Sequence, residues 1–137
     1  MQKFGAESIQ VNAAGDISLF GGYYSNKRVS PWKIGIRDPE DSQKVLKVFE
    51  KMDGTIATSG TYEKGAHIWD PKTGLIAIGA LSATAIGPDG GICEALATGL
   101  VVAGPDGATW FNQPELAEYG AWVIDRYDRT AWSVGKL

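Results

Sequence analysis

Apolar and polar residues alternate along much of the chain, the mark of strands that bury one face. Ile9 to Phe20 alternates loosely and is broken by Ala14-Gly15-Asp16, which predicts a hairpin-like unit with a bend or bulge inside it. Gly21 to Pro31 reads as a polar loop. Trp32 to Arg37 alternates cleanly and stops at Asp38-Pro39, where proline disfavours helical backbone before it. Val45 to Met52 fits two templates. Lys44, Lys47 and Lys51 would share one helical face, whereas Val45, Val48 and Phe49 suit a strand. Strand is favoured, because a helix would lack a C-cap before Thr55-Ile56-Ala57.

Leu75 to Ile86 is a strand-like run with small residues on alternate positions, closed by the breaker Gly87-Pro88-Asp89-Gly90-Gly91. Ile92 to Ala103 changes period: apolar, rich in Ala and Leu, and bounded by glycine, it predicts the principal helix, stopped by Gly104-Pro105-Asp106-Gly107. Pro114 to Tyr119 reads as a short helix opened by proline. Gly120 to Asp125 and Thr130 to Val134 predict two final strands. The expected fold class is α+β: a mainly antiparallel β-sheet with one principal helix packed on it, in a single domain over residues 1–137.

Composition narrows the partners. The 137 residues carry a net charge of -3 and no basic run longer than Lys27-Arg28, which argues against a nucleic-acid surface. No stretch approaches the about 20 apolar residues of a membrane helix. Residues 1–8 hold no apolar run of the kind a secretory signal needs, so the sequence assigns no compartment. The single cysteine, Cys93, is expected to be a buried small hydrophobe among Ile92, Ala95 and Leu96. The five tryptophans are scattered, and no two sit at strand spacing on one face to form a sugar platform.

Two places carry candidate chemistry. Glu94 and Thr98 lie one turn apart on the predicted helix, putting a carboxylate and a hydroxyl on one face. With a phosphate, the pair would make a hard-oxygen site for a cation such as Mg²⁺. The bland alternative is that Glu94 complements the helix N-terminus and Thr98 back-bonds to a carbonyl. The other place is Thr58 to Gly74, which holds the only histidine, His67. Its Thr58-Ser59-Gly60 is either an anion-contacting loop or a strand end, and Asp70-Pro71-Lys72-Thr73-Gly74 is also an ordinary turn.

The combination resembles a known family. Ala57-Thr58-Ser59-Gly60-Thr61-Tyr62, His67-Ile68-Trp69-Asp70-Pro71-Lys72-Thr73-Gly74 and Glu94-Ala95-Leu96-Ala97-Thr98 follow the "TSG-aromatic", "HI-x-DP-x-TG" and "(A)DALAT" pattern of the ApbE family. Val11 to Ile17 is similar to its "VN-x-GGD-I", and Trp32 to Pro39 to its "W-x-(V/I)-G-I-x-(D/N)-P". The chain departs from the pattern with glutamate at position 94, where the family usually has aspartate, and with Ala14 in place of a glycine. The family's "KG-x-x-x-D" segment has no counterpart in residues 1–8, so the resemblance is to a C-terminal portion, an ApbE-like, T-fold-like half.

Members of the family are FAD:protein FMN transferases, once described as thiamine-biosynthesis lipoproteins and often extracytoplasmic or periplasmic. The resemblance implies Mg²⁺-dependent transfer of FMN from FAD to a Thr or Ser hydroxyl of an acceptor flavoprotein. It implies Glu94 and Thr98 as metal ligands, Glu94 and His67 as catalytic groups, and Ser59, Gly60, His67 and Ile68 against the flavin substrate. It gives Asp70 and Thr73 a part in fixing the loop. It also implies apolar surface for a second copy or for the missing N-terminal half. The alternative is a non-catalytic flavin- or nucleotide-binding or interaction module that keeps the scaffold without turnover.

Overall fold

The computed structural model describes residues 2–60 and 68–137. After a 3₁₀ turn at Gln2–Phe4, β1 (Ile9–Ala13) and β2 (Asp16–Phe20) form an antiparallel hairpin in which Ala13 faces Asp16. Ala14 and Gly15 both take positive φ, at 54° and 110°, the two-residue turn whose twist suits a hairpin. Asn12 Oδ1 accepts from Gly15 N at 3.0 Å and ties the turn.

The stretch from Gly21 to Pro31 is not a plain loop. It contains a small hairpin, β3 (Tyr23–Ser25) with β4 (Arg28–Ser30), closed by Asn26 and Lys27, both at positive φ. Next come β5 (Trp32–Arg37) and β6 (Val45–Lys51), a separate antiparallel ribbon, so the strand reading of 45–52 holds. β7 (Gly54–Gly60) follows after a short turn, then β8 (Ala80–Gly87). The run from Leu75 to Ile86 is thus two pieces. Ile76 belongs to an isolated bridge with Trp69, and the strand proper starts only at Ala80.

The principal helix, α1, spans Gly90–Ala103 and starts two residues before the expected Ile92. Asp89 is its N-cap, the carboxylate accepting from Ile92 N at 3.0 Å. The breaker at Gly104 does not end helical structure, because Pro105 opens a 3₁₀ segment at Gly104–Asn112 and another follows at Pro114–Leu116. β9 (Gly120–Asp125) and β10 (Ala131–Gly135) complete a six-stranded antiparallel sheet of order β1-β2-β7-β8-β9-β10. The expected α+β class, mainly antiparallel with one principal helix, is the fold observed.

Strand alternation sorts the sheet into two faces. Ile56 and Ile86 point to the β5–β6 ribbon, where they pack with Ile34, Ile36 and Phe49. Ala57 and Ala85 point the other way, to Cys93, Leu96 and Ala97 of α1. Further along, Leu100 and Val101 pack with Ala83, Ala121 and Val123. The buried positions 93, 96, 97, 100 and 101 make one helical stripe. β8 is buried at every position, with ribbon and helix on its two sides. Among the described residues no helix is long and apolar enough to cross a membrane.

Candidate functional site

Glu94 and Thr98 sit on the edge of the buried stripe, Glu94 exposed and Thr98 half-buried. Their side chains are hydrogen-bonded to each other and, through Thr98, to the neighbouring strand. Thr98 Oγ1 donates to Glu94 Oε1 at 3.1 Å and lies 2.8 Å from Ser59 Oγ. Ser59 is the next-to-last residue of β7, two positions after Ala57 and hence on the face that carries α1. Ala57 and Ala97 are small and fully buried between strand and helix, which lets side chains as short as serine and threonine meet across the gap. Ser59 and Gly60 are therefore the end of a strand, not a loop. Gly60 pairs with Ser82 of β8. On the opposite face, Thr58 Oγ1 and Thr84 Oγ1 are 2.9 Å apart, a pairing the sequence pattern did not signal.

His67 lies outside the described residues, together with 61–66. The chain is described again from Ile68, which enters the core beside Leu100 and Val101 with 8% of its surface exposed. Ala77 N donates to Ile68 O at 2.9 Å and Asp70 N to Leu75 O at 2.8 Å, so residues 68–77 form a narrow hairpin-like loop. Asp70 is its knot. Its Oδ1 accepts from Lys72 N at 2.8 Å and its Oδ2 from Thr73 Oγ1 at 3.1 Å, while its carbonyl accepts from Gly74 N at 2.8 Å.

The structure thus joins Ser59, Thr98 and Glu94 through hydrogen bonds and anchors Ile68 farther along the same helix. One carboxylate and two hydroxyls are hard oxygen donors, the type Mg²⁺ accepts when ligand phosphates supply the rest of its shell. Among the described residues no group of three or more His, Cys, Asp or Glu side chains gathers to hold a metal ion. A cation here would therefore rest on Glu94, the Thr98 hydroxyl and the oxygens of its ligand. Cys93 is fully buried, and burial pushes its thiol up to about 12, so it is no nucleophile.

A groove of about 1080 Å³ opens elsewhere, between the β1–β2 hairpin and the start of α1. Ile9, Val11, Phe20, Thr55 and Asp89 line it, and Ser59, Gly60, Ile68, Glu94 and Thr98 do not. Val11 and Phe20 leave apolar surface open there, at 46% and 38% exposure.

Comparison with known proteins bears on the family and the fold. The sequence model of the ApbE family matches residues 1–120. The FAD:protein FMN transferase of Rhodobacter capsulatus is 31% identical over 110 residues, covering 74% of this chain and 20% of that protein. Its counterpart in Escherichia coli K12 is 30% identical over 118 residues, covering 79% of this chain and 33% of that protein. Among solved structures, the flavin transferase ApbE of Vibrio cholerae superposes with a TM-score of 0.77 at 28% identity, covering 97% of this chain and 44% of its own. The ApbE protein of Thermotoga maritima gives 0.74 at 29% identity, covering 93% and 42%. The chain spans between a fifth and a third of the length of these curated relatives. A family match that runs from the first residue to the start of β9, over a shared fold, places this chain in the ApbE family.

Proposed function

We propose that the chain serves in Mg²⁺-dependent transfer of FMN from FAD to a Thr or Ser hydroxyl of an acceptor flavoprotein. The observation that carries this reading is the linked set Ser59, Thr98 and Glu94, at 2.8 and 3.1 Å, on a fold whose matched relatives are FAD:protein FMN transferases. In the reaction the acceptor oxygen bonds to the phosphorus of the FMN half, the pyrophosphate P–O bond breaks, and AMP leaves. The acceptor hydroxyl gives up its proton, which in this reading the exposed carboxylate of Glu94 takes. Glu94 and Thr98 would hold the cation, which when bound neutralises pyrophosphate oxygens and the charge that develops on them. His67, Ser59, Gly60 and Ile68 bear on the flavin nucleotide in this reading. A ligand pocket needs walls on more than one side. The remaining walls come from a second copy or from a polypeptide carrying the portion of the relatives that this chain does not span.

A second reading, a non-catalytic flavin- or nucleotide-binding or interaction module, is favoured by one observation: the 1080 Å³ groove lies away from the linked residues. One assay separates the two. The chain is mixed with FAD, MgCl₂ and an acceptor flavoprotein, and AMP release and flavin fluorescence on the acceptor are followed. Magnesium-dependent release that disappears in Glu94→Ala supports the transferase. FAD binding with no AMP release selects the module, and release unchanged in Glu94→Ala overturns the assignment of the site.

A further inference from the structure

We infer that Ser59 is a positioning residue that sets the hydroxyl of Thr98 for a divalent cation; the inference rests on the metal reading proposed above. A hydroxyl carries one proton and two lone pairs. Thr98 gives its proton to Glu94 Oε1, at 3.1 Å. The contact between Ser59 Oγ and Thr98 Oγ1, at 2.8 Å, must then run from serine to threonine. The proton order is Ser59 to Thr98 to Glu94. One lone pair of Thr98 and the second oxygen of Glu94 have no part in this relay.

The need for such a device follows from threonine in a helix. Its side chain divides between two χ1 rotamers, one of which turns the hydroxyl back onto a carbonyl of the preceding turn. That rotamer would take Thr98 away from the carboxylate it must share a cation with. Ser59 selects against it from outside the helix. It is held on a strand whose pairing places it opposite Ala83, and only one torsion separates its hydroxyl from that fixed backbone. Strand β7 therefore fixes the orientation of a ligand on α1, at a site where the helix alone would leave two choices open. Partners of this kind typically change metal affinity by about ten- to a hundredfold when removed.

The test uses Mn²⁺ as a paramagnetic stand-in for Mg²⁺, with free Mn²⁺ read by electron paramagnetic resonance. Ser59→Ala is expected to weaken binding about tenfold, and Ser59→Thr, which keeps the donor, to retain most of it. In a Thr98→Val background, Ser59→Ala should cause no further loss, because the residue it acts through is gone. An equal loss in both backgrounds would make Ser59 a direct ligand and overturn the positioning role. Glu94→Ala is the control for the underlying reading. If it abolishes binding while Ser59→Ala leaves binding intact, only the role of Ser59 falls. If Glu94→Ala changes nothing, the cation site falls, and this inference with it.

Discussion

Gly79 lies against the backbone of Val102: a Cβ built on this glycine would stand 2.3 Å from the Val102 carbonyl oxygen and 2.5 Å from the nitrogen of Gly104. The contact clamps the entrance of β8 to the C-terminal end of α1, where Gly104 takes φ 59° and donates to Leu100 O. No side chain can retreat, since both near atoms are main chain. Gly79→Ala is expected to cost about 3 kcal/mol by overpacking, a fall of roughly 10 °C in Tm. A melt within 2 °C of wild type, read by circular dichroism, would show that the clamp yields without cost.

Cys93 makes stability depend on alkaline pH. Burial, with the carboxylates of Asp89 and Asp16 adding to it, pushes the thiol from its ordinary 9.0 up to about 12. The folded chain keeps this proton while the unfolded chain sheds it above pH 9, so the contribution is whole below that value and is lost as pH climbs toward 12. The limiting slope is about 1.4 kcal/mol per pH unit. Urea midpoints of wild type and Cys93→Ala between pH 8 and pH 11 should therefore converge as pH rises; parallel curves would contradict it.

Asp70 holds its loop by two side-chain bonds, to Lys72 N and Thr73 Oγ1. Each is worth about 1 kcal/mol locally. Asp70→Ala should speed hydrogen exchange at the Lys72 amide about five- to tenfold while Tm moves by less than about 3 °C, since the turn is outside the core. Asp70→Asn keeps one acceptor and should fall between. Unchanged exchange in Asp70→Ala would remove Asp70 as the fastener of the loop.

Asp89 caps α1 through Ile92 N, and the first turn contains no other acidic residue. Asp89→Ala should cost about 1 kcal/mol, and Asp89→Asn only a few tenths, because asparagine caps nearly as well. Equal losses for the two variants would point to the charge of Asp89, not its hydrogen bond, as the stabilising element.

The pattern of apolar positions carried much of the architecture because the strands that alternate, such as Trp32–Arg37, bury one face each. It failed where local shape depends on a distant contact. The Leu75–Ile86 run looked continuous because nothing nearby announces that Gly79 must pass close to Val102. The hairpin at Tyr23–Ser30 was hidden by a turn of Asn26 and Lys27, a pair without the glycine that usually marks such turns. Pro105 was read as the end of helical structure when it opens a second helical segment. At the candidate site, the spacing of Glu94 and Thr98 was visible because it is local to one helix. The bond from Thr98 to Ser59 was not, since it joins residues 39 positions apart and depends on how closely α1 sits on the sheet.

That closeness is set by alanines. Ala57, Ala85 and Ala97 act as a spacing gauge between helix and sheet, and a bulkier residue at any of them would work as a shim, lifting α1 off β7. Because a hydrogen bond weakens within a few tenths of an ångström, the Ser59 end of the relay would open before the fold itself gave way. The methyl groups of these buried alanines thus set the distance across which Ser59 and Thr98 meet, though they belong to neither residue.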